Sequence, residues 1–402
     1  MERNVPKLRF KGFNDEWKKE VISSICKLSS GSTPSKARKE YFNGTHLWVT
    51  SGELKNKYIY NTIDKITDKA IKNTNLKEYE IGSFIIAIYG LEAQGTRGSS
   101  AILGRKATIS QACMAIEPVK DIYSEFLYYW YAKYGDMIGI RYAQGTKQQN
   151  LSTDLVGNLK IIFPSLKEQE RITNFLTKVD KIIEKQDEKV KNLENYKNGM
   201  MQKIFSQEIR FKDENGKEYP EWQEYKLNEL CNFFSGGTPL TSKKEYYDGN
   251  IPFIRSAEIS SENTELTISE IGLNNSSAKM IQKGDLLYAL YGATSGEVSI
   301  SKLNGAINQA ILCIRSNRCN LIFLEKVLRN SKQNIIKTYL QGGQGNLSAN
   351  IIKELQYNFP CLDEQDKIAK FITKIDIILQ KEIDKLNELY KWKKGLLQQM
   401  FV

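Results

Sequence analysis

The residues able to do chemistry are few, and their spacing excludes most of it. His46 is the one histidine in 402 residues, which nearly excludes a His-based nucleophilic triad or a Cys/His zinc site. It precedes the strand-like run Leu47-Trp-Val-Thr50 and reads as a polar residue at a strand start. The six cysteines, Cys26, Cys113, Cys231, Cys313, Cys319 and Cys361, are scattered and never form Cys-x-x-Cys. That is the pattern of buried, reduced thiols. The nearest approach to a phosphate-binding loop, Gly90-Leu-Glu-Ala-Gln-Gly95-Thr96, lacks the lysine that would hold β- and γ-phosphates, and reads as a plain loop. Acidic residues do not cluster at metal-ligand spacing. No catalytic constellation remains.

Binding chemistry is better supplied. Tyr142-Ala-Gln-Gly-Thr-Lys-Gln-Gln-Asn150 is echoed by Tyr339-Leu-Gln-Gly-Gly-Gln-Gly-Asn346. Amides of Gln and Asn pair bidentately with adenine, and Arg and Lys with guanine. Arg38 and Lys39, like Lys243 and Lys244, follow a Gly-x-Thr-Pro turn, where they could hold phosphates. The net charge is +11. Residues 1–164 carry 24 basic and 16 acidic side chains, and residues 206–360 carry 17 of each. The basic excess of the first part suggests a polyanionic partner, most simply nucleic acid.

These loops belong to an internal duplication with a period near 200 residues. Arg9-Phe10 is echoed by Arg210-Phe211, and Glu16-Trp17 by Glu221-Trp222. Ser30-Gly-Ser-Thr-Pro34 returns as Ser235-Gly-Gly-Thr-Pro239, and Lys39-Glu-Tyr-Phe-Asn-Gly44 as Lys244-Glu-Tyr-Tyr-Asp-Gly249. Tyr89-Gly90 matches Tyr291-Gly292, Gln111-Ala112 matches Gln309-Ala310, Asn150-Leu-Ser152 matches Asn346-Leu-Ser348, and Glu168-Gln169 matches Glu364-Gln365. The drifting offset implies loops of unequal length on a shared scaffold.

Each copy divides in two. The first part is punctuated by glycine, with short β-like runs such as Ser83–Ile88 and Leu286–Leu290 and one helix, near Ser124–Tyr142 or Leu321–Tyr339. It predicts a mixed α+β domain. After Pro164 and Pro360, proline disappears and glycine nearly so, and apolar residues fall at alternating spacings of four and three. The first stripe is Ile172, Leu176, Val179, Ile183, Val190, Leu193, Met200 and Ile204. The second is Ile368, Ile372, Ile375, Leu379, Leu386, Leu389, Leu396 and Met400. This is coiled-coil spacing, interrupted at matching positions by Gln186/Glu382 and Lys197/Lys393. Each helix, about 38 residues, would be roughly 57 Å long. The expected layout is a domain over 1–164, a helix over 165–205, a second domain over 206–360 and a second helix over 361–402. Because Leu8-Arg-Phe10 resembles Ile209-Arg-Phe211, which follows the first helix, the second should end near the N-terminus. The helices would then be antiparallel with a domain at each end, like a dumbbell.

The chain resembles the DNA-specificity subunits of type I restriction-modification enzymes over essentially its whole length. The paired Gly-x-Thr-Pro turns, the Tyr-Gly and Gln-Ala segments, the Gln-Gly…Asn-Leu-Ser loops and the helix starts Pro164-Ser-Leu-Lys-Glu-Gln-Glu-Arg-Ile172 and Pro360-Cys-Leu-Asp-Glu-Gln-Asp-Lys-Ile368 carry the resemblance. It implies two pseudo-symmetric target-recognition domains, each reading half of a split site in double-stranded DNA, separated by a long antiparallel two-helix coiled coil. It also implies two docked methyltransferase subunits, with restriction/translocase subunits joining them. The subunit would have no chemistry of its own, S-adenosylmethionine, ATP and Mg²⁺ belonging to its partners. The neutral second domain departs from this by offering little independent DNA attraction. A protein-interaction scaffold is the competing reading, and an autonomous DNA methyltransferase or nuclease lacks its motif.

Residues common to both copies cannot distinguish two half-sites. Thr33, Pro34, Tyr89, Gly90 and Asn150, with Thr238, Pro239, Tyr291, Gly292 and Asn346, should build loops or hold phosphates. Base readers should differ between copies, as do Arg97, Lys147, Gln148 and Gln149 against Arg255, Thr294 and Gln344. Apolar residues outside the stripe, Phe175, Ile182 and Tyr196 with Phe371, Ile378 and Trp392, are candidate partner contacts, with plain packing against the adjacent domain as the equal alternative. No apolar run approaches the ~20 residues of a membrane span. The N-terminus lacks a signal-peptide core, which predicts a cytoplasmic chain.

Overall fold

A computed structural model describes residues 4–74, 76–93, 95–143, 149–340 and 346–402. They form two compact units, Met1–Glu188 with Ile383–Val402, and Lys189–Glu382.

In the first unit a five-stranded sheet runs in the order Cys26–Ser30, Cys113–Pro118, Phe84–Ala87, Ser100–Leu103, Tyr58–Ile59. Phe84–Ala87, four consecutive apolar residues, are buried on both faces as its central strand. A second sheet places Phe42–Val49 between Lys65–Ile66 and Ala107–Ile109, with Glu78–Tyr79 beyond. Leu47 pairs with Ala107 in parallel register, Trp48 with Thr108 and Val49 with Ile109. Helix α1 (Ser124–Tyr142) buries Phe126, Leu127, Tyr129, Trp130, Tyr131 and Ile138.

The second unit repeats this plan. Asn232–Ser235, Ile311–Arg315, Leu286–Ala289 and Val298–Ile300 form one sheet. Leu266–Ile268, Tyr247–Ile254, Gly305–Ile307 and Lys279–Ile281 form the other. Phe253 and Ile254 pair in parallel with Ala306 and Ile307. The helix equivalent to α1 covers Leu321–Tyr339. Two further helices are long: Leu166–Phe205, and Leu362–Met400. In chain order these three are α2 (Leu166–Phe205), α3 (Leu321–Tyr339) and α4 (Leu362–Met400).

The units divide the long helices between them. The reason is packing. Ile172, Leu176, Val179 and Ile183 of α2 are buried in the first unit, as are Ile368, Ile372 and Ile375 of α4 in the second. Truncating one such leucine to alanine costs about 2–5 kcal/mol.

A shared clasp fixes each helix start. Arg9 donates from Nε and Nη2 to the Glu168 carboxylate at 2.7 and 2.8 Å. Arg210 does the same to Glu364 at 3.3 and 2.9 Å. Both carboxylates are buried, so the forked charge-assisted bond supplies what water no longer can. Gln169 donates from Nε2 to the carbonyl of Pro164 at 2.8 Å and accepts from the Tyr123 amide at 3.0 Å. Gln365 repeats this with Pro360 and Asn320, at 2.8 and 2.9 Å. The Glu-Gln pair thus anchors the helix to its domain.

The chain ends follow the duplication. In the second unit the Ile209 amide donates to the carbonyl of Lys203, 3.2 Å. In the first, the Leu8 amide donates to Gln399, 2.9 Å. Helix α4 therefore meets the N-terminal segment as α2 meets the segment that follows it. Within the second unit Lys189 lies 2.7 Å from Glu382 and Lys197 2.5 Å from Asp376. Residue numbers rise on one helix as they fall on the other, so the segments are antiparallel.

Candidate nucleic-acid interface

The scattered duplicated motifs converge on one place in each unit. In the first, the chain leaving Phe84–Ala87 is flanked by both neighbours. The Ile88 amide donates to Ala112 at 2.9 Å, and the Leu151 amide donates to Ile88 at 2.9 Å. Tyr89 then bridges Asn150. In the second unit the Leu290 amide donates to Ala310 at 2.8 Å, the Leu347 amide to Leu290 at 2.9 Å, and Tyr291 bridges Asn346. The Gly-x-Thr-Pro turn joins the same rim. The Gln111 amide donates to Thr33 Oγ1 at 3.3 Å, and Thr238 Oγ1 donates to Gln309 Oε1 at 2.7 Å.

The residue types follow from this crowding. A Cβ on Gly31 would lie 2.1 Å from the Ile109 carbonyl oxygen, and one on Gly236 would lie 1.8 Å from that of Ile307. No side chain fits either site. Gly90 and Gly292 turn the chain with φ of +72° and +78°, a region costly for any residue with a Cβ. In the Asn-Leu-Ser segments, Leu151 and Leu347 are buried. Ser152 and Ser348 cap short helices by accepting from Leu155 and Ile351, each at 3.2 Å. The shared residues build these turns.

The family model for the type I restriction modification DNA specificity domain matches twice, over residues 14–195 and 219–389. The chain belongs to this specificity family. It is a type I specificity subunit with two target-recognition domains, and not an enzyme. The type I restriction enzyme MjaIX specificity subunit of Methanocaldococcus jannaschii is 25% identical, covering 94% of this chain and 90% of the relative. The MjaVIII specificity subunit of the same organism is 21% identical, over 98% and 94%. Among solved structures, the type I S subunit from M. genitalium shares the fold at a TM-score of 0.62, with 18% identity and 99% of both chains covered. A chain from a structure concerned with complex assembly and conformational transition of the type I R-M system matches at 0.60, with 16% identity over 96% and 97%.

The predicted reading residues of this specificity subunit have distinct settings. Lys147, Gln148 and Gln344 lie outside the described residues. Arg97 is half-buried, donating from Nε to the Leu91 carbonyl at 3.2 Å and from Nη2 to Gln149 Oε1 at 3.3 Å. The Gln149 amide donates to the Glu92 carboxylate at 2.8 Å and holds its pKa below the ordinary value. Arg97 and Gln149 are therefore one unit of loop structure. Arg255 forms a forked pair with Glu258 at 3.1 and 3.3 Å and reaches Glu265 as well. These two carboxylates raise its pKa and occupy the fork that would bind guanine. The sequence expectation made it a base reader. Thr294 ends the short turn Gly292–Thr294 beside Tyr291.

Among the phosphate candidates, Arg38 donates to Tyr41 Oη at 2.9 Å and Lys243 to Tyr246 Oη at 3.1 Å. Each cation lies over its ring, at 5.5 and 5.0 Å. Lys39 and Lys244, one residue on, are exposed.

The partner candidates also separate. Phe175 packs edge-on against Phe10 at 5.7 Å and Phe371 against Phe211 at 5.5 Å. Both are only half-exposed, and each ring packs within its own unit, the alternative to a partner contact. Ile182, Tyr196, Ile378 and Trp392 remain 45–52% exposed. Sequence reasoning missed the Arg9–Glu168 and Arg210–Glu364 clasps. The signal was present, since all four residues recur in the duplication.

Among the described residues, no group of three or more His, Cys, Asp and Glu is arranged to hold a metal, and no helix is long and apolar enough to cross a membrane.

Proposed function

We propose that this specificity subunit reads a split double-stranded DNA site, one half with each recognition domain, and docks two methyltransferase subunits. The carrying observation is the rim built twice from the same four motifs, with different side chains mounted on it. A shared frame with divergent readers is what two unlike half-sites require. The basic excess in residues 1–164 adds attraction to phosphate there. In the neutral second domain, partner subunits supply much of that attraction.

Docking uses Ile182, Tyr196, Ile378 and Trp392, which leave apolar surface exposed on α2 and α4. The relative whose structure concerns complex assembly of the type I R-M system supports an assembled state. Restriction/translocase subunits join this complex. S-adenosylmethionine, ATP and Mg²⁺ act on those partners.

Binding of the complete methyltransferase complex to specific and scrambled duplexes at several salt concentrations tests the reading. A specificity ratio of about 10³ or more is expected. A ratio near one at every salt concentration rejects it in favour of a protein scaffold.

A further inference from the structure

Two cysteines that are 88 positions apart in the chain meet in the second recognition domain. Cys231 closes the short helix Leu227–Leu230, and Cys319 precedes Asn320, the N-cap of α3. Their sulfurs lie 3.7 Å apart, and both side chains are largely buried. The segments carrying them are already fastened. Ser316 donates from Oγ to the Leu230 carbonyl at 2.6 Å and accepts from the Cys319 amide at 3.0 Å. Arg318 donates to the Glu229 carbonyl at 2.6 Å. The thiols are thus held facing each other by bonds they do not make themselves. Reaching the ~2.05 Å of a disulfide requires a closure of about 1.7 Å, within reach of side-chain torsions.

We propose that Cys231 and Cys319 form a reversible thiol–disulfide site that takes hydrogen peroxide as its oxidant. Cys319 attacks as the thiolate. A sulfur–oxygen bond forms, the peroxide O–O bond breaks, and the departing hydroxide takes a proton to leave as water. Cys231 then attacks the resulting sulfenic acid. The S–S bond forms, the S–O bond breaks, and a second water leaves with the Cys231 proton. Two thiols give up two electrons, and one peroxide becomes two waters.

The roles follow from the pairing. The two thiols share one hydrogen-bonding contact, which draws the Cys319 pKa below the ordinary thiol value and raises that of Cys231. Cys26, Cys113 and Cys313 are buried as well but pair with no cysteine among the described residues, and burial pushes each up to about 12, so they serve as internal controls. The site is also one-sided. The positions equivalent to Cys231 and Cys319 in the first domain are Cys26 and Ile122. Asn320 donates to Gln365 and Asp366 at the start of α4. A bond at Cys319 would therefore stiffen the junction between sheet and long helix in the second domain alone.

Peptide mapping of the reduced full-length chain after graded hydrogen peroxide tests this. A linked Cys231–Cys319 peptide is expected first, reversed by dithiothreitol, with Cys26, Cys113 and Cys313 still alkylated after denaturation. Cys231→Ser should leave Cys319 trapped by a sulfenic-acid probe, and Cys319→Ser should leave Cys231 a thiol. Absence of the linked peptide at peroxide concentrations that oxidise glutathione overturns the proposal. So does equal formation of other pairs. Mapping of the unmutated chain decides the matter even where a variant fails to fold.

Discussion

Lys393 and Asp180 meet between the two long helices of the first unit, Nζ 2.7 Å from Oδ1, where the apolar stripe is broken. Lys197 and Asp376 make the same pair in the second unit, at 2.5 Å. Each aspartate takes a second donor from its own recognition domain. Tyr129 donates its hydroxyl to Asp180 at 2.5 Å, and Lys326, at the equivalent position, donates to Asp376 at 2.8 Å. In the first unit Lys57 reinforces the arrangement, donating to Tyr129 at 3.0 Å and Thr177 at 2.8 Å. Helix, helix and domain are joined at one carboxylate. A polar pair in an apolar seam lowers stability relative to a well-packed core and specifies register.

A double-mutant cycle of Asp180→Asn and Lys393→Met measures this. Each single change should cost about 1–3 kcal/mol, less than for fully buried pairs because the Lys393 side chain is still 23% exposed. The double variant should cost less than the sum, with a coupling of about 1 kcal/mol in urea unfolding. Strict additivity would show that the pair is incidental.

The Arg–Glu clasps should be more costly. Glu168 and Glu364 are 1% and 0% exposed, so removing either arginine strands a buried carboxylate. Arg210→Met should destabilise the second unit by about 3 kcal/mol, although Trp222 still donates to Glu364 at 3.1 Å. Arg9→Met should act on the first unit. Loss of one unfolding transition, with the other unmoved, is the expected signature.

The long helices and the duplication were legible because they are written in repeated spacing. Ser124–Tyr142 and Leu321–Tyr339 are helices where the apolar runs placed them. Lys197 and Lys393 were visible as interruptions, but an interruption does not name its partner. Asp376 and Asp180 lie outside the stripe and gave no periodic signal. Most sheet strands were too short to show alternation; Tyr58–Ile59 and Lys65–Ile66 have two residues each. Their pairing is long-range, as between Val49 and Ile109. Arg255 shows the limit for site residues. Its type suggested base reading, yet Glu258 and Glu265 claim it, and spacing alone cannot weigh an intramolecular carboxylate against DNA.

His46 should give the first unit a pH dependence. Its Nε2 lies 2.7 Å from Asp68 and its Nδ1 3.0 Å from Glu78, and Lys106 sits 3.8 Å from the same Glu78. The bond to Asp68 leads in raising the pKa above 6.5 and, with Glu78, outweighs the opposing desolvation. The charged form is thus favoured on folding. This contribution is complete below the unfolded value and is lost as pH rises through the folded one. Thermal stability of the first unit should fall over that interval, and His46→Gln should flatten the dependence. An NMR titration of the imidazole locates the midpoint; a value at or below 6.5 contradicts this account.

Docking should depend on the exposed apolar residues rather than on the phenylalanines. Trp392→Glu and Tyr196→Glu leave the buried stripes intact, so circular dichroism should be unchanged. Native mass spectrometry with methyltransferase subunits should show loss of the two-to-one complex. An intact complex in both variants would exclude this surface.

Phosphate holders and base readers should separate by salt and by sequence. Lys39 and Lys244 are exposed, follow the rim-building turns and differ from the readers in being common to both domains. Lys39→Ala or Lys244→Ala should weaken every duplex alike and reduce the salt slope by about 1. Arg97→Met should relax one half-site by about 1–3 kcal/mol, because it removes a cation from the variable loop and releases Gln149 with it. Arg255→Met should leave base preference unchanged, since that guanidinium is held by Glu258 and Glu265. Methylome sequencing of cells carrying each variant decides the outcome. If Arg255→Met alters a half-site while Arg97→Met does not, the assignment of readers to these loops is reversed.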